Sequence, residues 1–94
     1  MTSSEISLPH YQWRPLELSP ENDFVGFDGE ILIGRIFLEP RPQFKGLWHW
    51  SNARSETAIA SQGYAASADL AVAAVEALYD ELRAFEGNAL AKSQ

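Results

Sequence analysis

The longest apolar run of the chain, Ile31 to Leu38 (ILIGRIFL), constrains its fold most. Asp28-Gly29 precedes the run and suits a two-residue hairpin loop in which both residues adopt positive φ. Pro40-Arg41-Pro42 follows it, and prolines interrupt a strand ladder. Successive side chains of a strand point to opposite faces. Both faces of this strand are therefore largely apolar, which predicts a central strand covered at least in part on both sides.

Four further strands flank this run in the prediction. An edge strand is expected from Trp13 to Leu18, because Pro15 lacks the N–H that a ladder needs. The others are Phe24–Phe27, Lys45–Asn52 and Thr57–Gln62, the last ended by Gly63. Within the predicted strand Lys45–Asn52, Trp48 and Trp50 share one face and His49 lies on the other.

The segment from Ser67 to Phe85 predicts a helix, with Ser67 as the N-cap and Gly87-Asn88 as the stop signal. Helical periodicity gives an apolar stripe and an opposite polar face. The stripe comprises Ala71, Ala74, Val75, Leu78, Leu82 and Phe85, with Tyr79 at its margin. Asp69, Glu76, Asp80 and Arg83 fall opposite, where we expect them to be solvated, with Asp80 and Arg83 at best a weak surface pair.

Strands followed by one helix predict an α+β fold. We expect an antiparallel sheet of three to five strands with one C-terminal helix packed on one face. Gly34 in the long strand, and the helix alanines, would let the two layers approach closely. Residues 1–94 make a single domain, in which 1–12 and 87–94 are expected to be loose termini.

The segment from Thr57 to Leu78 resembles the YegP-like (DUF1508-type) family of small bacterial domains. In that family a strand ends in Ser-x-Gly-Tyr, and a small polar residue then caps an alanine-containing helix. The matching residues here are Ser61, Gly63, Tyr64, Ser67, Ala71, Val75 and Glu76. Trp48-His49-Trp50 stands where those domains place an aromatic-alternating strand. The resemblance implies a bacterial domain of packed strands and one helix, and it implies no activity.

Composition narrows the class of partner. The net charge is −6, and the seven basic residues are scattered rather than gathered into the stripe that nucleic-acid binding needs. The chain has no cysteine, no secretory signal and no apolar window long enough to cross a membrane. We therefore expect a cytoplasmic protein that binds neither nucleic acid nor membrane.

Candidate binding residues gather around the tryptophans. The predicted interaction surface comprises Arg35, Phe37, Arg41, Lys45, Trp48, His49 and Trp50. Tryptophan is enriched where partners bind, but the favoured interpretation is that Trp48 and Trp50 fill the core beneath the helix, with His49 on the open face. Arg35 is expected to extend over apolar surface, or to lie over a tryptophan ring, or to contact an acidic partner.

No catalytic, cofactor-binding or metal-binding site is predicted. His10 and His49 are the only imidazoles, and neither has a second histidine or a carboxylate at a recognisable ligand spacing. The chain contains no phosphate-binding loop, nucleophile-elbow or zinc-protease motif. We expect a protein that is not an enzyme and has no cofactor.

One helix can cover only one face of the sheet, which leaves the other face to something else. If Ile31, Ile33 and Phe37 lie on that second face, an apolar patch results. The N-terminal segment with Tyr11, Trp13, Leu16 and Leu18 could cover it, or a second copy of the chain could, in a homodimer.

The functional prediction is a small non-enzymatic interaction module that associates with itself or binds another protein. Two alternatives stay open. One is an anion-binding or enzymatic domain with its pocket between the Trp48–Trp50 strand and the 40–46 loop. The other is an acidic protein that neutralises a partner, in the manner of an antitoxin or a phage inhibitor.

Overall fold

The computed structural model describes residues 9–53 and 61–92, with the side chains of the helix up to residue 84. Five strands form one antiparallel sheet in the order β1-β2-β3-β4-β5. Their bounds are β1 Gln12–Pro15, β2 Asp23–Asp28, β3 Ile31–Leu38, β4 Trp48–Asn52 and β5 Gln62–Ala65. The helix α1, Ala68–Lys92, packs against β3, β4 and β5. The predicted α+β fold is confirmed, and β3 is the central strand.

The bounds of the two outer strands, β1 and β5, differ from those predicted from the sequence. β1 lies at an edge, as the missing N–H of Pro15 predicted, but it spans Gln12–Pro15 and ends three residues before the predicted Leu18. β5 differs, because it runs through Gly63 to Ala65, whereas residues 57–60 of the predicted strand lie outside the described residues. The ring of Trp50 explains the glycine: a Cβ at position 63 would lie 3.0 Å from it. Gly63 therefore makes room for a ring within the strand instead of ending the strand.

The β2–β3 hairpin has a two-residue loop, but the loop residues are Gly29 and Glu30. Asp28 pairs with Ile31 and so belongs to the ladder. Gly29 has φ +64°, and no non-glycine residue in the described ranges has positive φ. A loop with positive φ at its first residue alone fits a type II′ turn. The prediction that Asp28 and Gly29 would both adopt positive φ is wrong, because Asp28 is held in β2 by its strand pairing and by the Tyr79 hydroxyl, which donates to its carboxylate at 2.8 Å.

A β-bulge at Ile33 changes the side-chain alternation of β3. Gly26 pairs with Gly34 but Phe27 pairs with Leu32, so Ile33 has no partner on β2. Two residues of β3 thus occupy the space of one on β2, which turns the strand and shifts its alternation.

The bulge decides which apolar residues of β3 reach the core. Ile33 and Ile36 are exposed by only 0% and 1% and lie in one cluster with helix residues, although they are three positions apart. The expectation that Ile31, Ile33 and Phe37 could share the uncovered face is therefore wrong for Ile33. Strict alternation placed it there, and the extra residue moves it to the helix side.

The helix lies close to the sheet because small residues meet at the contact. A Cβ at Gly34 would lie 2.6 Å from Val75 Cγ1 and 2.5 Å from the Ser51 carbonyl oxygen. Any larger residue at position 34 would push the layers apart, so the close approach predicted from Gly34 is confirmed. The buried cluster comprises Ile33, Ile36, Ala71, Val75 and Tyr79.

The prediction is confirmed for the start of α1 and wrong for its end. Ser67 is the N-cap, since its Oγ accepts a hydrogen bond from the Leu70 N–H at 3.2 Å. The stop predicted at Gly87-Asn88 is wrong, because the helix continues to Lys92. A glycine inside a helix costs about 1 kcal/mol relative to alanine and does not by itself end it. The residues that follow, ALAK, are good helix formers.

Glu76 was expected to be solvated, and this expectation is wrong. Its carboxylate accepts hydrogen bonds from the backbone N–H groups of His10 and Tyr11, both at 3.1 Å, and from Trp13 Nε1 at 2.9 Å. Glu76 is consequently only 7% exposed. Helical periodicity describes only the helix itself. In the folded chain, the segment that leads into β1 crosses the side of α1 and covers Glu76.

Residues 10–13 of the N-terminal segment therefore lie on the same side of the sheet as the helix, whereas Leu16 and Leu18 line a cavity with Arg35. The Tyr11 ring meets the Tyr79 ring edge-on at 5.3 Å, and its hydroxyl donates to Asp80. Residues 10–12 are thus not the loose chain that we expected, and Tyr11 and Trp13 do not cover the second face. We call that second face, opposite α1, the open face.

Candidate interaction surface

Pairing across the sheet brings aromatic side chains together on the open face. Phe37 of β3 pairs with His49 of β4, and His49 pairs with Tyr64 of β5. Paired residues of neighbouring strands point to the same face, with Cβ atoms about 4.5–5.5 Å apart. Three rings from three adjacent strands consequently lie side by side.

A short 3-10 helix, Pro42–Phe44, adds a fourth ring to this row. The Phe44 ring stacks on Tyr64 with a centroid distance of 4.8 Å and an interplanar angle of 3°. The other neighbours are in contact as well, Phe37 with His49 at 4.9 Å and His49 with Tyr64 at 5.2 Å. Separations of this size suit favourable aromatic pairing.

Arg35 closes the row at one end. Its Nε and Nη2 donate to the two carboxylate oxygens of Asp23 at 2.8 and 2.6 Å, a bidentate pair. The guanidinium lies 4.8 Å from the centre of the Phe37 ring. Hydrogen bonding to Asp23 raises the pKa of Arg35, so the group stays charged at physiological pH. The cation–π partner expected from the sequence was a tryptophan, but Trp48 and Trp50 pair with Leu38 and Ile36 on the helix side, so the ring beside Arg35 is that of Phe37.

Arg41 closes the other end in a similar way. Its Nε and Nη2 donate to Glu39 Oε1 at 2.9 and 2.6 Å, and Nη2 also donates to the Tyr64 hydroxyl at 2.9 Å. The guanidinium lies 4.6 Å from the centre of the Phe44 ring. Hydrogen bonding to Glu39 raises the pKa of Arg41. We call the whole row the arginine–aromatic strip, which comprises Arg35, Phe37, His49, Tyr64, Phe44 and Arg41.

The arginines of the strip and the carboxylates that pair with them differ in exposure to solvent. The side chains of Arg35 and Arg41 are 48% and 55% exposed, whereas those of Asp23 and Glu39 are 15% and 5% exposed. The carboxylates thus lie beneath the arginines and hold them in place. What faces solvent is two ordered guanidinium groups with aromatic rings between them.

His49 is held in the middle of the strip. Its Nε2 is 3.1 Å from the side-chain oxygen of Gln62, and its Nδ1 is buried without a hydrogen-bond partner. A proton on Nε2 would let the ring donate to this oxygen, which can only accept. The ring lies in the strip between those of Phe37 and Tyr64.

The predicted interaction residues divide between two faces. Arg35, Phe37, Arg41 and His49 meet on the open face. Trp48 and Trp50 lie on the helix side, where both pack against the core cluster. Lys45 is exposed just after the 3-10 helix, and it makes no contact with the strip among the described residues. The tryptophans thus occupy the core positions of the favoured interpretation.

Four members of the site were not predicted from the sequence: Asp23, Glu39, Phe44 and Tyr64. Tyr64 was assigned to a segment beyond its strand, since Gly63 was taken to end it. Phe44 had a usable signal, because Pro42 begins a 3-10 turn, and a period of three residues puts positions 41 and 44 on one side. Asp23 had none, since only strand register places it beside Arg35, whereas Glu39 lies two residues from Arg41 in the sequence and that proximity was the usable signal.

One alternative prediction placed a ligand pocket between the Trp48–Trp50 strand and the 40–46 loop. The stacked rings of Phe44 and Tyr64 occupy the space between that loop and the open face. Among the described residues, no group of three or more potential metal ligands comes together. In the same part of the chain, no helix has the length and apolarity needed to span a membrane.

Compared with known proteins, this chain matches no protein-family model, no curated protein and no solved structure. The resemblance to YegP-like domains therefore stays a prediction.

Proposed function

We propose that this chain is a small, non-enzymatic protein-interaction module and that the open face of its sheet is the binding surface. The observation that carries the proposal is the one-sided cover of the sheet. The helix and residues 10–13 both pack on one side, while the arginine–aromatic strip lies ordered and half-exposed on the other. Aromatic and arginine side chains dominate the binding energy of protein interfaces.

The arrangement of the strip favours a protein over a nucleic acid. Single strands bind by stacking bases on free aromatic faces and by neutralising phosphates. Here, guanidinium groups already cover Phe37 and Phe44, and each of these arginines is paired with a carboxylate. The open face therefore offers few free ring faces and little uncompensated positive charge.

The side chains of the strip are also ordered before binding. Each arginine is fixed by a carboxylate and a ring, and each ring is fixed by its neighbours. Immobilising a flexible side chain on binding costs about 0.5–1.5 kcal/mol, so a surface that is already ordered avoids part of this cost. Pre-ordered arginines of this kind suit a recognition surface.

A second copy of the chain is the partner expected from the sequence, and the size of the open face limits such a dimer. Five strands about 4.8 Å apart, with about five residues each at 3.3 Å, give a face of about 400 Å². Specific interfaces typically bury about 800 Å² on each partner. Face-to-face pairing of two copies would therefore give an interface at the small end of the range seen for specific complexes.

Photo-crosslinking tests the proposed surface. A benzoylphenylalanine placed at Tyr64, which is 40% exposed in the strip, should give adducts with protein in cells that produce the chain. The control is the same group at Leu70, which is 57% exposed on the helix. Excess native chain should suppress the adducts, whereas chain carrying Phe37→Glu should not.

Two results would contradict the proposal. One is an equal yield of adducts from both positions. The other is adduct formation at position 64 that the Phe37→Glu chain suppresses as well as the native chain does. Circular dichroism of that variant must first show a native fold, since Phe37 is half-buried. Sedimentation over a concentration range of about 1–200 µM tests the second copy as partner, because small interfaces are typical of weak and transient complexes.

A further inference from the structure

Both arginines of the strip keep unused hydrogen-bond donors that point away from their own carboxylates. A guanidinium has five N–H donors. Asp23 takes one donor each from Nε and Nη2 of Arg35, and Glu39 with Tyr64 takes those of Nε and Nη2 of Arg41. Within the described ranges no acceptor contacts Nη1 of either arginine. Two N–H groups on each Nη1 are consequently available to a partner.

The exposed charge of the open face decides the chemistry of that partner. The carboxylates of Asp23 and Glu39 are covered by their arginines, so they cannot meet a docking molecule directly. A second copy would bring the same guanidinium groups against these, and like charges in an interface are unfavourable. The carboxylates of a partner would accept hydrogen bonds from the Nη1 group of each arginine, either singly or as part of a bidentate pair.

A third arginine extends the same pattern towards β1. Arg14 pairs with Val25 and its guanidinium lies 5.2 Å from the centre of the Phe27 ring. Among the described residues it has no ion-pair partner. Arg14 thus adds one exposed cation to the open face, while Glu17 lines a cavity beside Arg35 and the whole chain has a net charge of −6. At physiological ionic strength, charges more than about 8 Å away are largely screened, so the local charge governs docking.

The spacing of Arg35 and Arg41 sets the spacing of the carboxylates. Arg35 lies on β3 and Arg41 donates to Tyr64 on β5, so the two are two strand spacings apart across the sheet and about two residues apart along it, or roughly 12 Å. An extended peptide advances about 3.3 Å per residue and presents every second side chain to one side. Carboxylates at positions i and i+4 of an extended segment would span this distance.

We propose that the partner of the open face is an acidic polypeptide segment that lies across the strands in extended form. Two of its carboxylates, four residues apart, bind Arg35 and Arg41, and the side chains between them contact the rings of the strip. This inference rests on the proposed interaction function, and it names the chemistry of the partner.

Selection from a phage-displayed library of random twelve-residue peptides tests this inference. We expect the peptides that the native chain selects to carry Asp or Glu at two positions four residues apart. Binding of the best synthetic peptide should then weaken about tenfold in Arg35→Gln and again in Arg41→Gln. The matched control is Arg83→Gln on the helix, whose side chain is 56% exposed and which should bind within about twofold of the native chain.

Each other outcome overturns a defined part of the reasoning. Selected peptides that lack acidic residues but still require Phe37 would overturn the acidic partner and leave the interaction function standing. Equal weakening by Arg83→Gln would show non-specific charge attraction and would overturn the acidic partner too. If selected peptides bind chain carrying Phe37→Glu as tightly as native chain, the open face is not the binding surface and both proposals fail. Dimers in sedimentation that Arg35→Gln stabilises would identify the second copy and not an acidic segment.

Discussion

Replacing Glu76 by glutamine tests the packing that joins the N-terminal segment to the helix. The carboxylate accepts three N–H groups: that of His10 on Oε1, and those of Tyr11 and the Trp13 indole on Oε2. Glutamine has nearly the same size but only one acceptor oxygen. In its better orientation that oxygen takes the place of Oε2, and its NH₂ group faces the N–H of His10.

The size of the effect follows from this geometry. A hydrogen bond to a charged acceptor contributes about 1.5–3 kcal/mol and one to a neutral acceptor about 0.5–1.5 kcal/mol. Two bonds therefore weaken by about 1 kcal/mol each, and the third is lost. Part of this loss is offset, because the neutral glutamine avoids the cost of burying a charge. We expect the free energy of unfolding to fall by about 2–3 kcal/mol, which for a chain of this size lowers Tm by roughly 10–20 °C.

Urea unfolding followed by circular dichroism measures the change, because far-ultraviolet signals do not depend on the environment of Trp13. The matched control is Glu81→Gln, which removes the same charge from an exposed position of the same helix. Exposed substitutions usually change the free energy of unfolding by less than about 0.5 kcal/mol. A double-mutant cycle with Trp13→Phe isolates the indole bond, and we expect a coupling of about 1 kcal/mol.

Amide hydrogen exchange gives a residue-level check on the same reasoning. The amide of Tyr11 should exchange faster in Glu76→Gln than in Glu81→Gln, since its acceptor is weakened only in the first. If the two variants have the same free energy of unfolding and the same exchange at Tyr11, Glu76 does not hold the segment and the argument is refuted.

Two further predictions concern the core and the pH dependence of stability. Gly34→Ala should lower the free energy of unfolding by about 1–3 kcal/mol in urea titration, because its Cβ would lie 2.5 Å from the Ser51 carbonyl oxygen and 2.6 Å from Val75 Cγ1; an unchanged midpoint would show that the layers separate without cost. Burial and, next, the hydrogen bond to Asp28 raise the pKa of Tyr79 above its ordinary value of about 10. Since the folded state holds this proton more tightly, the contribution is complete below pH ~10 and is lost as the pH rises through the folded-state pKa. Thermal unfolding should therefore show a shallower alkaline loss of stability for Tyr79→Phe than for the native chain, and parallel losses would contradict the assignment.

Local patterns were sufficient for the start of the helix, the hairpin and the layer architecture. The capping serine, the dense alanine and leucine pattern and the apolar stripe predict α1 because helical contacts are made within a few residues. The glycine before the long strand predicts the hairpin for the same reason, although the loop is displaced by one residue. The fold class follows from strands followed by one helix, since each element must bury its apolar face.

The candidate site was predicted only in part, because it depends on pairing between distant segments. Arg35, Phe37, Arg41 and His49 were selected from the sequence, but so were Trp48 and Trp50, which point the other way. Residue types alone predict that a strand carries large side chains on two faces. They do not say which face the helix covers.

Sequence alone therefore determined the helix, the hairpin, the central strand and the shortage of cover for one face of the sheet, since these follow from periodicity and turn chemistry within short segments. Tertiary structure alone decided three features: the bulge that moves Ile33 into the core, the three N–H groups that bury Glu76, and the Asp23 carboxylate that orients Arg35. Each joins residues that are distant in sequence or depends on a one-residue shift in pairing. A one-residue shift exchanges the faces of every side chain beyond it, so such features are fixed by the assembled sheet and not by any single segment.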